Sequence, residues 1–306
     1  MGLGRFPDNI VELRPRVSRR LNPKGLCLLW LVFLPGAGAL AQTDPDEAIN
    51  WVYGAYFGMG RYKLNNGDST YVLSGRPRKR WKEAALDDDG NRTIGVEMLV
   101  PIAVGVYDLD PTNIGQPGYT DNFSTLSAVP GAEFEIPLNA RWSIKPLVHV
   151  GYGTEIDGGQ AAWIFWTGVR SQARFAAEEF DWALVNSLTY LGYSSNYSTS
   201  GNLLSLLTAI EFERGLRFEI ADHPVRLHWH LGYTDYLNAA SLAPRTTGFS
   251  AVEIDDEWEI GAAFSTSEHR LGIKRMRFDR IGLVYRFSGN GDFEGIGLTF
   301  SSLFER

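Results

Sequence analysis

The chain has 306 residues, with 29 Lys/Arg against 36 Asp/Glu for a formal net charge of −7, one cysteine and a mean hydropathy of −0.16. The acidic balance excludes the basic surface that a phosphate backbone demands, so nucleic acid is not an expected partner. A single cysteine excludes a disulfide framework and any cysteine-ligated metal centre.

The first element is a leader. Arg14, Arg16, Arg19, Arg20 and Lys24 precede the apolar run Leu26 to Leu34, and Ala39-Leu40-Ala41 followed by Gln42 supplies a small-x-small site. These are the three parts of a secretory signal peptide, and the run is too short for the ~20 residues of a spanning helix. Residues 1–41 are therefore expected to be removed, leaving residues 42–50 as a short periplasmic segment before a barrel over 51–306. Cys27 falls inside the leader as an apolar filler, so the mature chain is expected to be cysteine-free, which suits an oxidising compartment.

From Trp51 onward the signal is period-two alternation, which sends successive side chains to opposite faces of a strand. It predicts twelve strands, at 51–63, 69–81, 92–107, 122–137, 140–154, 161–176, 181–197, 202–220, 224–238, 249–265, 276–288 and 292–304. The third run sets Ile94, Val96, Met98, Val100, Ile102, Val104 and Val106 on one face. The fifth sets Trp142, Ile144, Pro146, Val148, Val150 and Tyr152 against Lys145, His149 and Gly151. The ninth sets Val225, Leu227, Trp229, Leu231 and Tyr233 against Arg226, His228, His230 and Gly232. The tenth sets Trp258, Ile260, Ala262 and Phe264 against Glu253, Asp255, Glu257 and Glu259. The last two alternate Ile281, Leu283, Tyr285 and Phe287, then Ile296, Leu298 and Phe300, with Arg280, Arg286, glycine and hydroxyl residues opposite.

Such runs far exceed the ~5–6 residues of soluble strands. An even set of long strands without a helical period predicts an all-β fold, a transmembrane antiparallel β-barrel of 12 strands. Closure satisfies every backbone N–H and C=O without water, as a bilayer requires. Both ends of the chain are then expected on the periplasmic side. The short connections near Leu138-Asn139 and Ala221-Asp222-His223 fit that side, and 108–121 and 239–248 fit the outer side. Trp51, Trp81, Trp142, Trp182 and Phe304 are expected as an aromatic belt at the periplasmic boundary.

The stretches "WVYGAYFGMGRYKL", "VPGAEFEIPLNARWSIKPLVHVGYG" and "DRIGLVYRFSGNGDFEGIGLTFSSLF" resemble the solitary outer-membrane autotransporter-like β-barrels of Gram-negative bacteria. These are similar to an autotransporter translocator without a passenger. The resemblance implies a twelve-strand barrel in the cell outer membrane and brings no catalytic residue with it. Two departures stand out: a passenger and a barrel-threading helix have little room between Gln42 and Trp51, and Phe304 is followed by Glu305-Arg306.

The lumen-lining candidates are Arg76, Arg78, Arg80, Lys145, Arg226, His228, His230, Glu253, Glu257, Glu259, Arg280 and Arg286. They offer either a selective constriction or a self-neutralising filling, and twelve strands lie between the filled and the water-channel sizes. No cofactor, metal or catalytic site is expected: His228 and His230 lack a specified third ligand, and "ALDDDGN" lacks the later Glu of a calcium loop. Neither a Gly-x-Ser-x-Gly elbow nor a His-Glu-x-x-His motif occurs. The expectation is a monomeric pore or structural surface component, not an enzyme, with outer-membrane lipid, lipopolysaccharide and the barrel-assembly machinery as partners. Alternatives are a translocator for a separate chain and a lipid- or peptide-hydrolysing barrel.

Overall fold

The computed structural model describes Tyr56 and residues 58–64, 69–87, 89–107, 124–156, 159–177, 179–196, 200–220, 222–242, 252–266, 271–273 and 276–305. The leader, residues 42–50, Trp51 and the whole loop at 108–121 lie outside them. So does the side chain of Glu253, whose backbone pairs with Ser241.

Twelve antiparallel strands close into a ring. They are β1 (Gly60–Leu64), β2 (Ser69–Gly75 and Arg78–Lys82), β3 (Gly95–Leu99 and Ile102–Tyr107), β4 (Ser124–Ala128 and Gly131–Pro137), β5 (Trp142–Glu155) and β6 (Ala161–Ala176). The ring continues with β7 (Asp181–Ser195), β8 (Ser200–Ile220), β9 (His223–Leu242), β10 (Val252–Thr266), β11 (Ile281–Phe287) and β12 (Phe293–Thr299). We call the end where β12 finishes the lower rim.

β2, β3 and β4 are each interrupted at a proline, and the three interruptions line up. The Val100 N–H donates to Pro77 O at 3.0 Å, Val129 N–H to Pro101 O at 2.8 Å, and Val150 N–H to Pro130 O at 3.0 Å. Proline has no N–H for the ladder, so each break falls where that donor is missing, while its carbonyl still accepts from the next strand. The result is a crease across three strands rather than isolated defects.

The alternation points the expected way. Leu73, Val148, Val150, Trp163, Ile260, Leu283 and Ile296 are exposed on the outer face, whereas Lys145, His149, Arg170, Glu259 and Arg286 are buried inside. This inverts a soluble protein and matches a wall whose outer solvent is hydrocarbon. Trp81 and Trp142 lie exposed at the lower rim, as an interfacial belt requires.

The interior is not uniformly polar. Tyr62, Leu64, Val72, Ile164, Trp166, Leu191, Tyr193, Leu203, Tyr236, Ile254 and Phe293 form one buried apolar cluster, mostly in the upper half. The Tyr62 ring stacks on Phe293 at 5.7 Å and covers Gly295, where a Cβ would come within 2.5 Å of the ring.

The seam departs from the predicted strand 51–63. β1 pairs with β12 over Gly60–Leu64 and Phe293–Gly297. Below it, Gly58 turns through φ 73°, a conformation that suits glycine, and Tyr62 Oη donates to Gly58 O at 3.2 Å. Tyr56 lies inside, its hydroxyl 3.4 Å from Ser205 Oγ of β8. On the outer face of the seam, Leu73, Val104, Leu283, Ile296 and Leu298 line an apolar groove of ≈ 410 Å³.

Candidate functional site

The inward charges sort into connected groups, starting from the acid that each strand pattern delivers. On β4, both carboxylate oxygens of Glu133 accept from Arg170 Nη1 at 3.0 Å. Lys145 Nζ stands 3.9 Å from it and His149 Nε2 3.5 Å. Burial here is almost complete, with Lys145 at 1 % and Glu133 at 2 % of their free exposure. Charges so far from water persist only when paired and hydrogen-bonded. His149 also stacks on Trp166 at 5.0 Å, and the guanidinium of Arg76 sits over that indole at 5.4 Å.

Higher in the barrel, Arg286 Nε donates to Glu259 Oε2 at 2.6 Å and lies 3.3 Å from Glu257. Its Nη1 donates to Tyr62 Oη at 3.1 Å. His230 Nε2 is 2.6 Å from the other oxygen of Glu259, and Tyr236 Oη donates to Glu257. A third group joins β8, β9 and β10: Arg226 pairs with Glu213, His228 Nδ1 is 3.6 Å from Glu213, and His228 Nε2 is 2.7 Å from Ser265 Oγ.

The lower mouth is occupied by the segment that follows β12. After Phe300 the chain leaves the wall and forms a short 3-10 turn, Leu303–Glu305, inside the barrel. Leu303 N–H donates to Glu211 Oε1 on β8 at 2.8 Å. Leu303 and Phe304 pack with Val185 of β7 and Ala209 of β8, and Phe304 is wholly buried under the Lys145 ammonium at 4.6 Å. Glu305 then meets three cations: Lys145 at 2.7 Å, Arg78 at 3.0 Å and Arg80 at 3.7 Å. Burial pushes its carboxyl up, but the charge and hydrogen bond of Lys145, with Arg78 and Arg80 behind, hold it below the ordinary glutamate range.

Comparison with solved structures finds the same barrel. The translocator domain of autotransporter NalP from Neisseria meningitidis matches with a TM-score of 0.55 at 11% identity, over 78% of this chain and 82% of that one. The fold is that of an autotransporter translocator barrel. The β-domain of the Bordetella autotransporter BrkA (TM-score 0.48, 13% identity, 79% of this chain and 96% of that one) and the transport unit of AIDA-I from Escherichia coli (0.44, 11%, 79% and 88%) are also similar. No family model and no curated protein sequence matches the chain.

Within this barrel, the predicted lumen residues are brought together selectively. Lys145, His228, His230, Glu257, Glu259 and Arg286 are buried inside. Arg280 reaches Glu211 at 3.5 Å, and Arg78 and Arg80 point into the lower mouth. Two expectations are corrected. Asp255, grouped with Glu253, Glu257 and Glu259 on one inward face, is exposed, while Ile254 is buried. Between the pairs Asp235–Asp256 and Ala240–Ile254 the ladder slips, and a bulge resets the alternation. Phe304, expected in the boundary belt, is inside because β12 ends at Thr299.

Sequence reasoning missed Ser265 as the neighbour of His228, and Glu305 as the filler of the mouth. Pair distances across strands depend on register, which no single strand encodes. Asp87 of the "ALDDDGN" stretch is committed to its own turn, accepting from Asn91 N at 2.6 Å and Asn91 Nδ2 at 2.8 Å.

Proposed function

We propose that this protein is a monomeric outer-membrane β-barrel, exported through the leader at 1–41, that works as a closed structural component of the surface. Its partners on this reading are membrane lipid, lipopolysaccharide and, during biogenesis, the assembly machinery. One observation carries the reading. The mid-lumen cations and acids are mutually paired and shut off from water, as in Lys145, Glu133, His149 and Arg170. An ion-selecting ring needs its charges free to exchange with a passing ion. These charges are spent on each other.

Planar-bilayer recording on the refolded full chain tests this. The expected result is a silent bilayer, and stable unitary steps would sink the closed-barrel reading in favour of a narrow pore.

A translocator for a separate chain is supported by the fold likeness to NalP and by Tyr56 standing inside the barrel ahead of β1. The filled lumen weighs against it. A hydrolase is favoured by the Ser265–His228–Glu213 line, which has the order of nucleophile, base and acid. Against it, Ser265 is 1 % exposed, so we read the line as a brace between β8, β9 and β10. Phospholipid turnover by the refolded protein that Ser265→Ala abolishes would reverse that reading.

A further inference from the structure

The lower mouth has an occupant that is not part of the wall. Leu303–Glu305 is joined to β12 through Phe300, Ser301 and Ser302. Its anchoring is by side-chain recognition: an aromatic ring beneath an ammonium, and a carboxylate among three cations. The Phe304 carbonyl adds a contact from Arg170 Nη1 at 3.4 Å. None of these contacts belongs to the strand ladder, so a separate peptide of the same chemistry could make all of them.

The charge ledger points the same way. Lys145, Arg78, Arg80 and Arg170 converge on this level from β2, β5 and β6. The wall answers them with Glu97 of β3, 3.6 Å from Arg80, with Glu133 of β4, and with Asp279, 3.3 Å from Arg78. With Glu305 withdrawn, the ion pair left to Lys145 among the described residues is the longer one to Glu133 at 3.9 Å, with the charge of Glu97 farther off. A partly desolvated cation left this way attracts an anion strongly. The Glu305 side chain is 17 % exposed, so this end of the occupant meets solvent and can exchange without opening the wall.

We propose that the lower mouth is a peptide-binding site selective for an aromatic residue followed by an acidic one, and that Phe304-Glu305 is its resident ligand held in cis. The partner class is a chain bearing that pair, presented at the lower rim and competing with the tail. The proposal rests on the closed-barrel reading only for the tail's position. Its test measures binding, not conductance.

The probe is a fluorescein-labelled hexapeptide, Ser-Ser-Leu-Phe-Glu-Arg, titrated by anisotropy against the full chain in detergent. Three proteins are compared: the natural chain, the double variant Phe304→Ala/Glu305→Gln, and the double variant with Lys145→Gln added. Folding of each is checked by its heat-modifiable migration. The double variant, whose tail competes poorly, is expected to bind at least about tenfold tighter than the natural chain. It should prefer the probe over the same peptide with Gln for Glu by about tenfold, the scale of one charge-assisted hydrogen bond. Adding Lys145→Gln should erase that preference.

Equal binding by the natural chain and the double variant, or no binding by a folded double variant, overturns the proposal. So does indifference to the Glu-to-Gln change in the probe. If the double variant does not fold, Glu305→Gln alone is used with the same expected preference. Bilayer steps in the natural chain would defeat the closed-barrel reading while leaving these binding outcomes interpretable.

Discussion

Glu133 is the acid on which the lumen's middle layer depends, because Arg170, Lys145 and His149 all face it. A buried ion pair adds little net stability, but removing one partner leaves an uncompensated charge and costs about 3–5 kcal/mol. Glu133→Gln is therefore expected to destabilise the barrel by ~3 kcal/mol, read as a lower urea midpoint for loss of heat-modifiable migration. A midpoint within error of the natural chain would mean that water reaches Arg170.

Glu305 makes a different prediction at the same scale. Its carboxyl is held below the ordinary range by Lys145, then Arg78 and Arg80, against burial, with Arg170 and the acids Glu97 and Glu133 on the surrounding strands. A depressed acid stabilises the docked state above its ordinary pKa of ~4.3, and that contribution fades as pH falls through the depressed value. Hydrogen exchange at the Leu303 amide, bonded to Glu211, is expected to lose protection on acidification below that range and to change little between pH 6 and 8. Glu305→Gln should flatten the acid response.

At the level of elements, the alternation that defines each strand is reliable until a proline or a bulge interrupts it. Pro77, Pro101 and Pro130 stand at equivalent heights because each one's carbonyl still serves the neighbouring strand, so the crease is shared by β2, β3 and β4. The β1–β12 seam is narrower than the pattern suggested, and the Tyr62 ring lies over Gly295 to complete it. Gly295→Ala drives a methyl into that ring and is expected to cost about 1–3 kcal/mol, the usual price of overpacking. Tyr62→Ala in the same chain should relieve the clash, so the two changes together should cost less than their sum in a double-mutant cycle.

For the whole molecule, the decisive property is that apolar side chains cover the outside while the charges are paired on the inside, beside a buried apolar cluster. Leu283 is 60 % exposed on the outer face of β11, which in water would be a liability and in acyl chains is a contact. Leu283→Arg is expected to reduce stability in lipid by ~2 kcal/mol, within the range for a cation on a lipid face. An arginine already in the lumen, such as Arg286, is tolerated there because Glu259 and Glu257 pair with it. Equal stability of Leu283→Arg in phospholipid vesicles would show that this face does not meet hydrocarbon.

Sequence by itself determined the strand number, the face of nearly every residue between bulges, and the gathering of Lys145, His228, His230, Glu257, Glu259 and Arg286 on the inside. That information is local, because period two is written in each strand separately. Tertiary structure alone decided which acid meets which base, that aromatic and aliphatic residues cluster mostly in the upper half, and that Phe304 and Glu305 turn inward instead of joining the belt. Those outcomes follow from ring closure and register. Closure brings β2, β5 and β8 around one space, and where the ladder shifts register, as beside Asp255, inside and outside are exchanged.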